Sequence, residues 1–200
     1  GYINVGAIEE YNETKERYNF LISQRQDIEE SEEKLKDIIV KLTDLMEKQF
    51  KENFKIISNN FNQVFSDIFD GGNAYLRLND KNNVLESGIE IIAKPPGKML
   101  QNMSLLSGGE RALTAIALLF AILKMKPSPF CVLDEIEAAL DDANVIRYAN
   151  YLKKLSKETQ FIIITHRKGS MEVSDILYGV TMEEQGISKL VSVNLEEGSM

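Results

Sequence analysis

Tryptophan is absent from this 200-residue chain, which holds one cysteine, one histidine and four prolines. A lone cysteine excludes an internal disulfide framework. It sits in Phe130-Cys131-Val132-Leu133, where a thiol reads as a small apolar core residue, and one unpaired thiol fits a reducing cytosol. No apolar stretch approaches the roughly 18 residues that a membrane span requires, so no membrane partner is expected. No signal-peptide pattern is visible. Positive charge is in deficit: 23 Lys and Arg against 31 Asp and Glu leave a net charge of −8 and a pI of about 4.9. That balance does not advertise a phosphate-backbone surface, although a local basic patch is compatible with it. The loop Gly-x-x-x-x-Gly-Lys-Ser/Thr is also missing. Gly97-Lys98 is the only Gly-Lys pair, Met99 follows it, and Ile92 stands five residues before Gly97. The chain therefore lacks a phosphate-cradling loop of its own. It opens on Gly1-Tyr2-Ile3 without Met and closes on Gly198-Ser199-Met200, and an excised fragment is expected.

The first sixty or so residues are rich in charge and contain no proline. Leu21, Ile28, Leu35 and Leu42 step by seven, and Tyr11, Tyr18, Ile39 and Met46 fall four residues after such steps. This is a heptad seam with Arg25 and Glu32 as polar breaks, and it predicts a coiled-coil helix. An amphipathic surface helix is the plainer alternative. A coiled coil needs a second strand, and no other run here has that length, so the partner is expected elsewhere.

After Phe69 the composition shifts. Gly71-Gly72 signals a turn, Ala74–Leu78 and Gly88–Ala93 read as strands joined by the polar turn 79–83, and Pro95-Pro96-Gly97 ends the second. An antiparallel β layer is expected. From Ser107 onward helix and strand alternate: a dense apolar helix over Leu113–Met125, a strand at Phe130–Leu133, a helix over Val145–Leu155 and a strand at Phe161–Ile164. Continuous apolar strands between helices predict a parallel sheet buried on both faces. Ile176–Val180 and Ile187–Val193 read as closing strands. The fold class is α/β.

Four segments carry candidate chemistry. Leu106-Ser107-Gly108-Gly109-Glu110 leads into a helix. Ser107 suits an N-cap, the glycines let backbone approach a ligand, and the helix start offers free N–H groups and a positive dipole end to an anion. A capped helix after a loop would explain Ser-Gly-Gly by itself. Phe130–Leu133 ends in Asp134-Glu135, placing two carboxylates at the C-terminal edge of a parallel sheet, where ligands bind. Asp134 suits Mg²⁺, usually through water, and Glu135 can orient or deprotonate an attacking water. A helix-capping acid after a strand is the ordinary alternative. Asp141 and Asp142 follow, and either can cap the next helix. Phe161–Ile164 ends in Thr165-His166, and a histidine at that edge can donate a hydrogen bond to a terminal phosphate, although a lone histidine is more often structural or merely exposed.

The order and spacing of these four segments resemble the C-terminal half of an ABC-type ATPase domain. Within that superfamily, Pro95–Lys98, Leu105–Ala115, Leu133–Val145 and Thr165–Glu172 resemble bacterial SMC (structural maintenance of chromosomes) proteins, and Asn4–Tyr11 resembles the end of their returning coiled coil. Ser170, where threonine is common, is a conservative departure. The resemblance covers essentially the whole chain.

It implies a C-terminal half-domain of an ABC-type head, with a P-loop-NTPase-like parallel sheet, a β layer, a coiled-coil stub and neck over 1–65, and the lobe proper over 66–200. It implies ATP and Mg²⁺ as ligands. The Walker A loop comes from the N-terminal half of the same head, and Asp134 and Glu135 complete that head's nucleotide site, with His166 approaching the γ-phosphate. Ser107, Gly108, Gly109 and Glu110 contact ATP in trans, on the opposite head, with Asp141 in the D-loop. The implied partners are a second SMC protomer in a homodimer, a kleisin with its accessory protein, and DNA through the assembled complex. The implied role is chromosome condensation and segregation in the cytoplasm, at the nucleoid. A coiled-coil DNA-repair ATPase, a transporter nucleotide-binding domain and a pure kleisin-binding module are the alternatives. The residues from Arg167 to Met182 argue against the first and the heptad seam against the second.

Overall fold

The computed structural model describes residues 6–195. Asn4 and Val5 of the opening resemblance, and the termini Gly1-Tyr2-Ile3 and Gly198-Ser199-Met200, lie outside the described residues. The chain divides into two compact units, with the boundary between Lys51 and Glu52.

In the first unit, helix α1, which runs Ala7–Phe69, presents the predicted seam to solvent: Tyr11, Tyr18, Leu21, Ile28, Leu35, Ile39, Leu42 and Met46 are all exposed. Exposed i,i+4 pairs, Arg25–Glu29 and Glu32–Lys36, lie along it. Such pairs add only about 0.2–0.5 kcal/mol each. An apolar stripe on a helix with no cover within its own unit is what a coiled-coil strand presents before pairing.

In the second unit, the end of α1 becomes core. Phe61, Val64, Phe65, Ile68 and Phe69 are buried, on the i, i+3, i+4, i+7 spacing of one helix face. Phe65 stacks on Phe69 at 4.2 Å between ring centres. The helix ends in a left-handed turn, with φ 57° at Asp70, 127° at Gly71 and 81° at Gly72. At Gly72 a Cβ would lie 2.3 Å from the Lys94 carbonyl oxygen, so the position admits only glycine. Strands β1 (Asn73–Leu78), β2 (Ile89–Lys94) and the two-residue β3 (Gln101–Asn102) form an antiparallel sheet in the order β1-β2-β3. The expected β layer is therefore present, and β3, too short for periodicity to reveal, extends it.

A 3₁₀ turn at Met103–Leu105 leads to α2 (Gly108–Met125). Leu113, Ile116, Ala117, Phe120 and Ala121 on α2 are buried. Phe120 packs against Tyr148, Tyr151 and Phe161, and a buried ring of this kind contributes roughly 1.5–3 kcal/mol. Strand β4 (Phe130–Asp134), helix α3 (Asp142–Leu155) and strand β5 (Gln160–Ile164) form a βαβ unit whose strands pair in parallel. A short helix α4 (Lys168–Met171) and the hairpin β6 (Ile176–Glu184) and β7 (Ile187–Asn194) complete the chain.

Two expectations need correction. The parallel pair is covered on one face only. Leu133 is buried and Cys131, Phe161 and Ile163 pack against the core, whereas Phe130, Val132, Ile162 and Ile164 are exposed. Every second side chain of a strand points to the opposite face, and no helix among the described residues covers that second face. The strands read as closing ones do not extend the parallel pair. β6 and β7 pair with each other in an antiparallel hairpin.

Candidate functional site

Two clusters of the predicted residues emerge, one at the start of α2 and one at the C-terminal edge of β4 and β5.

At the start of α2, Ser107 is the N-cap and forms a capping box with Glu110. The Ser107 amide and hydroxyl both donate to Glu110 Oε2, at 3.2 and 2.7 Å. Lys98 Nζ donates to the same carboxylate at 2.8 Å. The Lys98 ammonium and then the Ser107 hydroxyl hold the Glu110 carboxyl below its ordinary value. Lys98 thus has a partner that no local motif announces, twelve residues downstream.

The two glycines differ. A Cβ on Gly109 would lie 3.2 Å from Asp141 Oδ2 and 3.3 Å from Asn144 Nδ2, so Gly109 is small because α3 begins against it. A Cβ on Gly108 would meet nothing within 4 Å, and its φ is not positive. Nothing among the described residues crowds Gly108.

Asp141 caps α3, accepting from the Asn144 amide at 2.9 Å through Oδ1 and from the Asn144 side chain at 3.1 Å through Oδ2. Of the two acids that could cap this helix, Asp141 does so. Asp142 is exposed and pairs with Arg167 at 2.9 Å. Ser107, Glu110, Asp141, Asn144 and Arg147 line one cavity of about 300 Å³.

At the sheet edge, Asp134 is the last residue of β4 and is exposed. Glu135 follows with φ 47°. A non-glycine residue in the left-handed region costs on the order of 1 kcal/mol or more and persists where the surroundings fix it, most often at functional sites. Here the Glu135 amide donates to the Ile164 carbonyl at 3.0 Å, across to the end of β5. The turn brings Glu135 Oε1 to 3.3 Å from His166 Nδ1, with both side chains more than half exposed. The two residues read separately from sequence as base and phosphate donor are therefore neighbours. Among the described residues, no three His, Cys, Asp or Glu side chains gather as a metal cluster, around Asp134 or elsewhere. A single exposed carboxylate fits magnesium, which keeps most of its water and takes further oxygens from phosphate. It does not fit a metal that needs a protein cage.

Sequence reasoning assigned no role to Glu137, Arg167 or Ser170. Glu137 is 1% exposed and accepts a 2.9 Å hydrogen bond from the Ser170 hydroxyl. Arg167 reaches the Leu140 carbonyl at 3.0 Å as well as Asp142. A buried glutamate among alanines has no sequence signature, because its burial depends on where α4 lands.

No helix among the described residues is long and apolar enough to cross a membrane. A family model described as the RecF/RecN/SMC N terminal domain matches residues 8–189. The chromosome partition protein Smc of Bacillus subtilis (strain 168) is 59% identical over 197 residues, covering 98% of this chain. That of Desulfitobacterium hafniense (strain Y51) is 60% identical over 196 residues, again 98% of this chain. The chain spans only 17% and 16% of those two relatives' own lengths. Among solved structures, the Smc head domain with an extended coiled coil from Pyrococcus furiosus, bound to the C-terminal domain of ScpA, aligns with a TM-score of 0.71 and 41% identity. It covers 96% of this chain and 48% of that one. A structure from work on ATP-driven dimerization and DNA stimulated activation of SMC ATPases aligns with a TM-score of 0.69 and 46% identity, over 76% of this chain and 92% of that one.

Proposed function

This chain belongs to the RecF/RecN/SMC family, and from that premise we propose that it is the C-terminal half of the ATPase head of a bacterial SMC protein, ending the returning coiled coil and completing a nucleotide site begun elsewhere. The observation that carries this reading is the contact of Glu135 with His166 at the C-terminal edge of the parallel pair. It sets a base and a hydrogen-bond donor where α/β sheets bind ligands.

The segment that completes the head is the N-terminal half of the same protein, which supplies the Walker A loop this chain lacks. The exposed face of β4 and β5, with Phe130, Val132, Ile162 and Ile164, is the surface that half would cover. Alone, the chain is catalytically inactive.

In the completed head, Glu135 accepts a hydrogen bond from the attacking water and takes its proton as the oxygen bonds to the γ-phosphorus. The bond from that phosphorus to the β,γ-bridging oxygen breaks, giving ADP and phosphate. His166 donates to the γ-phosphate oxygens. Asp134 is the residue that would hold Mg²⁺, which would supply positive charge to offset that of the phosphates. Ser107, Gly108, Gly109 and Glu110 face the ATP of the opposite head. The open space at Gly108 supports this, because a glycine that no described residue crowds leaves room for an outside phosphate to approach the backbone N–H groups. Asp141 sits beside that loop as the D-loop residue. ATP thus joins two heads of a homodimer, and hydrolysis releases them. With a kleisin, its accessory protein and DNA, the cycle serves chromosome condensation and segregation in the cytoplasm, at the nucleoid.

The test is Glu135→Gln in the completed head. The amide keeps the shape and loses the base, so hydrolysis should fall by roughly 10²–10⁴-fold, the range general-base catalysis supplies. ATP-bound head dimers should accumulate in size-exclusion chromatography. Only monomers, under conditions where the unsubstituted head engages, would refute the role of Glu135.

A further inference from the structure

The contact between Glu135 and His166 spans two loops with no continuous backbone between them. One follows β4 and runs through Glu137 and Leu140 to the cap of α3. The other follows β5 and runs through Arg167 into α4. Both side chains of the pair are more than half exposed, so no packing holds either one. Parallel pairing of β4 with β5 and the Glu135 amide on the Ile164 carbonyl set where the two loops start, and further contacts hold their onward course together.

Three contacts join them, all just beyond the pair. The Ser170 hydroxyl donates to Glu137 Oε1 at 2.9 Å, with both residues 1% exposed. Among the described residues Glu137 Oε2 has no hydrogen-bond partner, so Ser170 supplies the side-chain hydrogen bond this buried carboxylate has. A buried carboxylate is costly to strand. The Arg167 guanidinium donates to the Leu140 carbonyl at 3.0 Å and to Asp142 Oδ1 at 2.9 Å. At Gly169 a Cβ would stand 3.0 Å from Val145 Cγ1, so the glycine lets α4 press against α3. Burial, and after it the Glu137 charge, pushes the Tyr148 phenol up.

We propose that Ser170 and Arg167 are positioning residues: they lock the segment after His166 onto the loop after Glu135 and so hold the imidazole against the carboxylate. Neither needs to touch substrate. The lock deepens the ATPase reading and rests on it for its consequence, but the geometry can be tested without nucleotide.

His166 is the only histidine in the chain, so its Cε1–H and Cδ2–H signals are unambiguous in a ¹H–¹³C spectrum of the full 200-residue chain. Glu135→Gln defines the shift that accompanies loss of the carboxylate. Ser170→Ala and Arg167→Gln should move the His166 signals along the same line, and Ser170→Thr should leave them at the unsubstituted position. Unmoved His166 signals in folded Ser170→Ala and Arg167→Gln would overturn the inference. So would a shift in Ser170→Thr as large as in Ser170→Ala, since that would make volume rather than the hydroxyl responsible. Where Ser170→Ala does not fold, Arg167→Gln decides, because it changes a side chain that reaches the surface. Signals that move as expected in a head that never hydrolyses ATP would leave the lock standing and overturn the ATPase reading alone.

Discussion

The loop at the start of α2 and the edge of β4 and β5 are both rich in charge, yet they are built on opposite plans. In the α2 loop the polar side chains are satisfied within the chain: Ser107 on Glu110, Glu110 on Lys98, and Asp141 on Asn144. At the sheet edge Glu135 and His166 share one 3.3 Å contact and are otherwise exposed, on a backbone held in the left-handed region. The first is a finished surface whose shape does not wait for a ligand. The second is an exposed carboxylate–imidazole pair at the ends of two loops. Preorganised donors suit docking, and a carboxylate open to water suits proton transfer.

Three substitutions test that contrast. The largest effect is expected from Ser107→Arg. It puts a long side chain where a partner's phosphate would dock and removes the capping box, at a local cost of about 1 kcal/mol. Hydrolysis by the completed head should be abolished while each head's own nucleotide affinity changes little, as read by titration beside a steady-state ATPase assay. Loss of affinity in step with activity, in a head still folded by circular dichroism, would mean the loop belongs to the same site as Glu135, and the contrast would collapse.

Asp141→Ala should be milder. It removes the cap of α3 and should cost about 0.5–2 kcal/mol, seen as a Tm lowered by a few degrees. A stability equal to that of the unsubstituted chain would show that the cap is not what holds Asp141 in place.

Lys98→Met should be smallest. The pair with Glu110 is partly exposed, and such pairs are worth about 0–1 kcal/mol. Because Lys98 and Ser107 hold the folded Glu110 carboxyl below its unfolded value, the stabilisation is present above the unfolded pKa and is lost as pH falls through the folded one. Lys98→Met should therefore lower stability by that small amount at neutral pH, flatten the acid limb of the stability curve, and leave the most acidic end unchanged. An acid limb identical in both chains would remove Lys98 from the finished surface.

Much of this was legible in the residue order. The seam from Tyr11 to Met46 gave a helix because seven-residue steps need no tertiary information. The strand ends at Asp134 and Ile164 could be read because apolar runs stop where charge begins. Gly71-Gly72 marked a turn that the backbone requires. The reading failed where one pattern fits two environments. Phe130-Cys131-Val132-Leu133 looks the same whether one face of its strand is covered or both. Only the lack of a covering helix among the described residues leaves Phe130 and Val132 exposed. Strand β3 was invisible because two residues carry no period.

By itself, then, the sequence determined the long helices, most strand edges, Ser107 as a cap and the types of group at the candidate site, since these depend on spacing along the chain; the choice of Asp141 over Asp142 as a cap and the short α4 did not follow from it. The tertiary structure decided which of those groups meet. Glu135 and His166 are 31 positions apart, and their contact follows from parallel pairing of β4 with β5. Glu137 is buried because α4 brings Ser170 onto it. Gly109 is confined by Asp141 while Gly108 is open, although the two are adjacent and chemically identical. Distance in space is set by the packing of elements remote in sequence, and no local pattern encodes it.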